Sequence, residues 1–81
     1  MENISGMVES ITFGFTIKAD PYVKLRMRSG KTVMAFKHLL VRKLIGCMPG
    51  RFLHMEVVER EYKDTKLFYL ESVRLETIPI N

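Results

Sequence analysis

An unbroken alternation of apolar and polar residues over residues 22–28 constrains the fold more than any other feature of the sequence. One phase holds Val23, Leu25 and Met27, and the other holds Tyr22, Lys24, Arg26 and Arg28. A period of two is that of a β-strand with one face in the core. Ser29-Gly30 then fits a two-residue hairpin turn, with a further strand after it. The sequence therefore predicts a β-hairpin with one apolar and one basic face.

The two-residue turn also predicts the register of this hairpin. It sets Arg28 opposite Lys31, Arg26 opposite Val33 and Lys24 opposite Ala35. In that register Thr32, Met34 and Phe36 join the buried face. The exposed face then carries Tyr22, Lys24, Arg26, Arg28, Lys31, Val33, Ala35 and Lys37.

A first strand and a short helix flank the hairpin in the sequence. The first strand is predicted from apolar residues at alternate positions, namely Met7, Ile11, Phe13, Phe15 and Ile17. Gly6 and Gly14 are expected to mark a bulge or bend in it. The helix is predicted over residues 37–45, because apolar residues fall there at helical spacing, and Gly46 is placed to cap it. Four phenylalanines are assigned to the core: Phe13, Phe15, Phe36 and Phe68.

Two more strands are predicted in the last third of the chain. Leu53, Met55 and Val57 alternate with more polar neighbours and give the fourth strand. The charged residues 60–66 are expected to form an exposed loop. A fifth strand starts at Leu67 with a bulge near Glu71, and residues 77–81 form a tail. A chain of 81 residues has room for one domain, which we predict over residues 1–76.

Positive charge is concentrated in the middle of the chain. Residues 18–51 hold nine basic residues against Asp20 alone, a local charge of +8 in a chain of net charge +4. The predicted hairpin face has no interleaved acid, so it suits an anionic ligand, above all nucleic acid. An acidic protein surface and a merely solvated face remain alternatives. Tyr22 lies on this face; Phe52, Tyr62 and Tyr69 are either exposed rings nearby or core and loop residues.

Residues for catalysis or metal binding are scarce. Cys47 is the single cysteine, and His38 and His54 are the only histidines, with no ligand or nucleophile motif around them. We therefore expect no enzyme activity, no cofactor and no metal. The sequence has neither a membrane-span pattern nor a secretory leader, which favours a cytoplasmic protein without a membrane partner.

The predicted order is three strands, a short helix and two strands, with a glycine-containing first strand. This mainly β, five-stranded antiparallel barrel resembles the OB-fold, over about residues 4–75. The resemblance implies binding of single-stranded DNA or RNA on strands two and three, flanked by the loops that join strands one and two and strands four and five. It places nucleic-acid contacts at Lys18, Tyr22, Lys24, Arg26, Arg28, Lys31, Tyr62, Lys63 and Lys66, and the basic hairpin face adds Lys37. A rival is an accessory protein that docks on a replication or transcription enzyme through the same face, with strand five available for homodimerisation.

Overall fold

The computed structural model describes residues 1–75, apart from the side chains of Tyr62 and Leu75. Its elements are β1 (Glu2–Phe15), β2 (Pro21–Met27), β3 (Thr32–Ala35), α1 (His38–Leu44), β4 (Phe52–Tyr62) and β5 (Thr65–Leu75). The strands close into a barrel in the order β1-β2-β3-β5-β4. The β3–β5 pair is parallel and the other pairs are antiparallel. The mainly β, OB-like barrel with a helix between β3 and β4 is thereby confirmed, while the predicted domain end at residue 76 and the tail 77–81 lie outside the described residues.

The core is built by the inward residues of the strands and by one side of α1. Val23, Leu25 and Met27 of β2 are fully buried, as their alternation predicted. The helix places Leu40, Val41 and Leu44 in the same core. Gly46 follows with a φ of +90°, the left-handed conformation that ends helices. Within the described residues, no helix is long and apolar enough to cross a membrane.

The hairpin register differs from the predicted one by one residue. Met27 N donates to Lys31 O at 2.8 Å and Gly30 N donates to Met27 O at 2.9 Å, so the turn comprises residues 28–30, with Gly30 left-handed at φ +96°. Arg26 pairs with Thr32, and Lys24 with Met34. A shift of one residue turns every side chain to the other face. The prediction that Val33 and Ala35 are exposed was therefore wrong, because both are fully buried. The predicted burial of the other phase was wrong as well: Thr32, Met34 and Phe36 face outward.

The long first strand curls around the barrel, and its bulge lies between Val8 and Ser10 rather than at a glycine. Its first half pairs with β4 and its second half with β2. Ile4 and Val8 are buried, whereas Phe13 is 50% exposed and Phe15 is 74% exposed. These two phenylalanines lie where β1 pairs with β2 alone, so the core does not cover them. Their assignment to the core was wrong.

The β4–β5 hairpin is longer than expected. Arg60 pairs with Leu67, and the strands continue to a tight turn of Lys63 and Asp64, whose φ angles are +49° and +62°. Two successive positive φ angles are typical of a type I′ hairpin turn. The predicted loop at residues 60–66 is thus mostly strand. The predicted bulge near Glu71 is confirmed. Leu70 pairs with Val57 and Ser72 pairs with Glu56, so Glu71 is the extra residue of β5 between two consecutive pairs.

Candidate nucleic-acid interface

The outward residues of β1, β2, β3 and β5 form one continuous surface, called here the β2–β3 face. Because inward and outward residues alternate, the strand pairings place these outward residues in rows across the sheet. One row pairs Gly14 with Tyr22, whose ring neighbours that of Phe36 directly after β3. The next row holds Thr12, Lys24, Met34 and Tyr69, and the third holds Ser10, Arg26 and Thr32.

Three aromatic rings lie side by side on the β2–β3 face. The ring centroids of Tyr22 and Phe36 are 6.1 Å apart, and those of Phe36 and Tyr69 are 5.2 Å apart. Phe36 is 39% exposed, and both tyrosines are half-buried. We call Tyr22, Phe36 and Tyr69 the ring row. Its solvent-facing surface offers apolar planes on which a flat ligand group can stack.

Sequence reasoning missed Phe36 as a surface residue, and it left Tyr69 undecided. The residues after the turn are apolar in both phases, so hydropathy alone did not choose between Val33 with Ala35 and Met34 with Phe36. The signal that could have found the ring row is Gly30, since a glycine after two turn residues also fits the longer hairpin loop with a left-handed glycine.

The cations beside the ring row have acidic neighbours. Arg26 Nε lies 3.2 Å from Glu9 Oε2, and Lys37 Nζ donates to Glu71 Oε2. Lys24 is exposed between Tyr22 and Arg26 on β2. The expectation of a face without interleaved acid was wrong, because Glu9 and Glu71 come from strands that flank the hairpin in space. Both ion pairs are exposed to solvent, and such pairs contribute only about 0–1 kcal/mol.

The other predicted cations lie around the edges of the β2–β3 face. Arg28 is the first residue of the turn of the β2–β3 hairpin and Lys31 follows that turn, and Arg28 Nη1 lies 3.5 Å from the Met7 sulfur. Lys31 Nζ is 5.6 Å from the centre of the Phe68 ring. Lys31 and Lys66 line a common groove of about 500 Å³.

Two further predicted site residues lie in connections between strands. Lys18 lies on the loop between β1 and β2, and Lys63 lies in the turn between β4 and β5. The side chain of Tyr62 lies outside the described residues. The structure therefore brings Tyr22, Lys24, Arg26 and Lys37 together, whereas the other predicted cations lie in or next to the turns and loops of the barrel: Lys18, Arg28, Lys31, Lys63 and Lys66.

A polar cavity of about 400 Å³ lies on the outside of β1, β4 and β5. Here Ser5 Oγ and His54 Nδ1 are 2.9 Å apart, and Ser72 donates to Glu56. Ser5 and His54 are both accessible to solvent. Among the described residues no carboxylate bonds to His54, and Glu56 accepts from Ser72 instead, so this pair lacks the orienting carboxylate of a catalytic triad. Among residues 1–75, no three acidic, histidine or cysteine side chains are close enough to hold a metal ion.

Cys47 is half-buried next to the core. Burial raises the pKa of its thiol, and nearby Arg51 opposes only part of that increase. A protonated thiol is a poor nucleophile, so the local chemistry of Cys47 favours a packing role.

Solved structures with the same fold include Rim1, described as a mitochondrial single-stranded DNA binding protein from S. cerevisiae. One of its crystal forms superposes with a TM-score of 0.77 at 19% sequence identity, covering 91% of this chain and 90% of that one. A second form gives a TM-score of 0.76 at 18% identity, covering 91% of both chains. No protein-family model and no curated protein sequence matches this chain. At this level of identity the likeness shows the fold.

Proposed function

We propose that this protein is a non-catalytic single-stranded DNA-binding protein whose binding surface is the β2–β3 face. The observation that carries the proposal is the ring row, which lies among Lys24, Arg26 and Lys37. Bases stack on the three rings, and phosphates contact the surrounding cations. This combination of stacking platform and cationic groove is the usual basis of sequence-tolerant single-strand binding.

The ring row favours a single strand over a duplex. Bases inside a duplex already stack on each other and expose only their edges, whereas an unpaired base can lay its flat face on a side chain. Phe36 has no polar atom on its ring, so its 39% exposure offers a ligand nothing but an apolar surface. An unpaired base matches that surface in shape and polarity.

The distribution of charge supports a phosphate backbone as the ligand. Glu9 and Glu71 partly neutralise the face, but their ion pairs are accessible to solvent, with side-chain exposures of 64% and 55% for Arg26 and Glu9. A phosphate can replace such a carboxylate at small cost, because exposed pairs are weak. The groove lined by Lys31 and Lys66 also holds Glu2 and Glu59, and Lys66 Nζ lies 3.5 Å from Glu59 Oε1, so a phosphate there competes with a carboxylate as it does at Arg26.

The fold neighbours support DNA as the ligand. Rim1 is described as a single-stranded DNA binding protein, and its barrel matches this one over 91% of the chain. The same comparison supports a protein without catalysis, in agreement with the solvent-accessible Ser5–His54 pair and the protonated Cys47 thiol.

The direct test is fluorescence anisotropy with a labelled oligothymidylate. Phe36→Ala and Tyr69→Ala should each weaken binding by about 1–3 kcal/mol, the usual cost of removing a stacking ring. Phe52→Ala is the matched control, since Phe52 is a half-buried ring on β4 that contacts His54 instead of the ring row. Equal loss in all three variants would contradict the assignment of the ring row.

A partner protein is the second candidate ligand. The observation that favours it is the end of the β1–β2 hairpin, where Phe15 is 74% exposed and Ile17 is completely exposed. Exposed apolar residues of this kind often mark a protein interface, with another protein or with a second copy of this chain. If docking were the function, the oligonucleotide would fail to bind at both low and high salt, and Phe15→Ser would abolish capture of the partner.

A further inference from the structure

Gly14 makes an unusually close approach to Tyr22. The two residues are cross-strand partners on the β2–β3 face. A Cβ atom built on Gly14 would lie 2.7 Å from the Tyr22 Cζ and hydroxyl oxygen and 2.9 Å from Cε1. The hydroxyl end of the ring therefore occupies the volume that any side chain at residue 14 would need.

We infer that Gly14 is a positioning residue for single-stranded DNA binding: it has no side chain, so Tyr22 can lie across β1 at the end of the ring row. This inference rests on the proposed function. The ring of Tyr22 is held between Gly14 on one side and Phe36, with a centroid distance of 6.1 Å, on the other. Gly14 thus sets where the first stacking surface is presented.

The backbone of Gly14 does not explain why a glycine is there. Its φ angle is not positive, unlike those of Gly30, Gly46 and Gly50, so alanine can adopt the same conformation. The obstacle to a side chain is the Tyr22 ring alone. That ring is the outer end of a flexible side chain, and it can move away without disturbing the barrel. Gly14→Ala should therefore fold normally and displace the ring.

The test compares Gly14→Ala with Gly6→Ala in oligothymidylate anisotropy. Gly6 is the matched control, because it lies on the same strand and its added Cβ would meet only the Met27 methyl group at an ordinary 3.7 Å. We expect Gly14→Ala to weaken binding about fivefold or more, within the range expected for a disturbed stacking contact, with an unchanged melting temperature and shifted Tyr22 ring resonances. Gly6→Ala should leave binding unchanged.

A double-mutant cycle shows whether Gly14 acts through Tyr22. In a Tyr22→Ala background the ring is gone, so Gly14→Ala should produce no additional loss of affinity. Unchanged binding by Gly14→Ala alone, or an equal loss in the Tyr22→Ala background, would overturn the inference and leave the proposed function intact. Failure of the unaltered protein to bind the oligonucleotide would overturn both.

Discussion

Arg26 Nε lies 3.2 Å from Glu9 Oε2, and this ion pair joins the centre of the basic hairpin to the bulge of β1. Glu9 stands between Val8 and Ser10, the positions where the β1–β2 register shifts. The bulge places an acidic side chain beside the most central arginine of the β2–β3 face. Arg26 is consequently balanced by the protein's own carboxylate in the unbound state, and a phosphate must compete for it.

Removing that competitor should strengthen DNA binding. Glu9→Gln leaves Arg26 without its carboxylate, so we expect oligothymidylate affinity to rise by up to about fivefold, equivalent to the ~1 kcal/mol limit of an exposed pair. Anisotropy titration at low salt measures the change. Glu56→Gln is the control, because it alters net charge equally on the outer surface of β4, where Glu56 accepts a hydrogen bond from Ser72. The same gain in both variants would mean that net charge, and not the Arg26 pair, limits affinity.

Lys24 should account for about one phosphate contact. It is exposed on β2 between Tyr22 and Arg26, and among the described residues no carboxylate forms an ion pair with it. Lys24→Gln should therefore reduce the slope of log affinity against log salt by about 0.7, the value per phosphate for single strands. Arg74→Gln, on the other side of the barrel beside the polar cavity, should leave the slope almost unchanged. Equal reductions in slope would remove the case for a localised binding face.

Sequence periodicity was sufficient for the elements whose two faces differ in polarity. Val23, Leu25 and Met27 were assigned correctly because lysine and arginine alternate with them, and α1 was assigned because Leu40, Val41 and Leu44 recur at helical spacing. Periodicity did not identify the buried face of β3, because both phases of that strand are apolar. Which phase is buried depended on one extra residue in the preceding turn.

The candidate site was predicted in part for the same reason. Tyr22, Lys24 and Arg26 share a strand whose pattern is unambiguous, so their common face followed from the sequence. Phe36 and Tyr69 reach that face through the register of β3 and its parallel pairing with β5, which are long-range properties. The ion pairs of Glu9 and Glu71 likewise depend on which strands become neighbours.

Cys47 should react slowly with alkylating reagents in the folded protein. Burial raises the pKa of its thiol, so at neutral pH less of it is thiolate than in the unfolded chain. The rate of iodoacetamide labelling should therefore rise with pH along a curve displaced to higher pH than that in urea. Because the folded state holds the proton more tightly, this group's contribution to stability is complete below the unfolded pKa and is lost as pH rises through the folded one.

The function proposed here does not use that thiol. Cys47→Ser should retain oligothymidylate binding, and His54→Ala should retain it as well, since His54 bonds to Ser5 on another surface. Loss of binding in either variant with an unchanged melting temperature would reveal a site outside the β2–β3 face.

Two neighbouring residues of β3 should separate stability from binding. Val33 is fully buried, so Val33→Thr places a hydroxyl in the core and should cost about 1–3 kcal/mol in the free energy of unfolding. Met34 faces outward between Lys24 and Tyr69, so Met34→Thr should cost less than about 1 kcal/mol. Urea denaturation measures both. Oligothymidylate affinity should fall more for Met34→Thr than for Val33→Thr, because only Met34 lies on the surface proposed to bind the DNA strand. If Met34→Thr were the more destabilising substitution, the register with Met34 in the core would be the correct one. Phe36 would then also face the core, and it could not be part of the ring row.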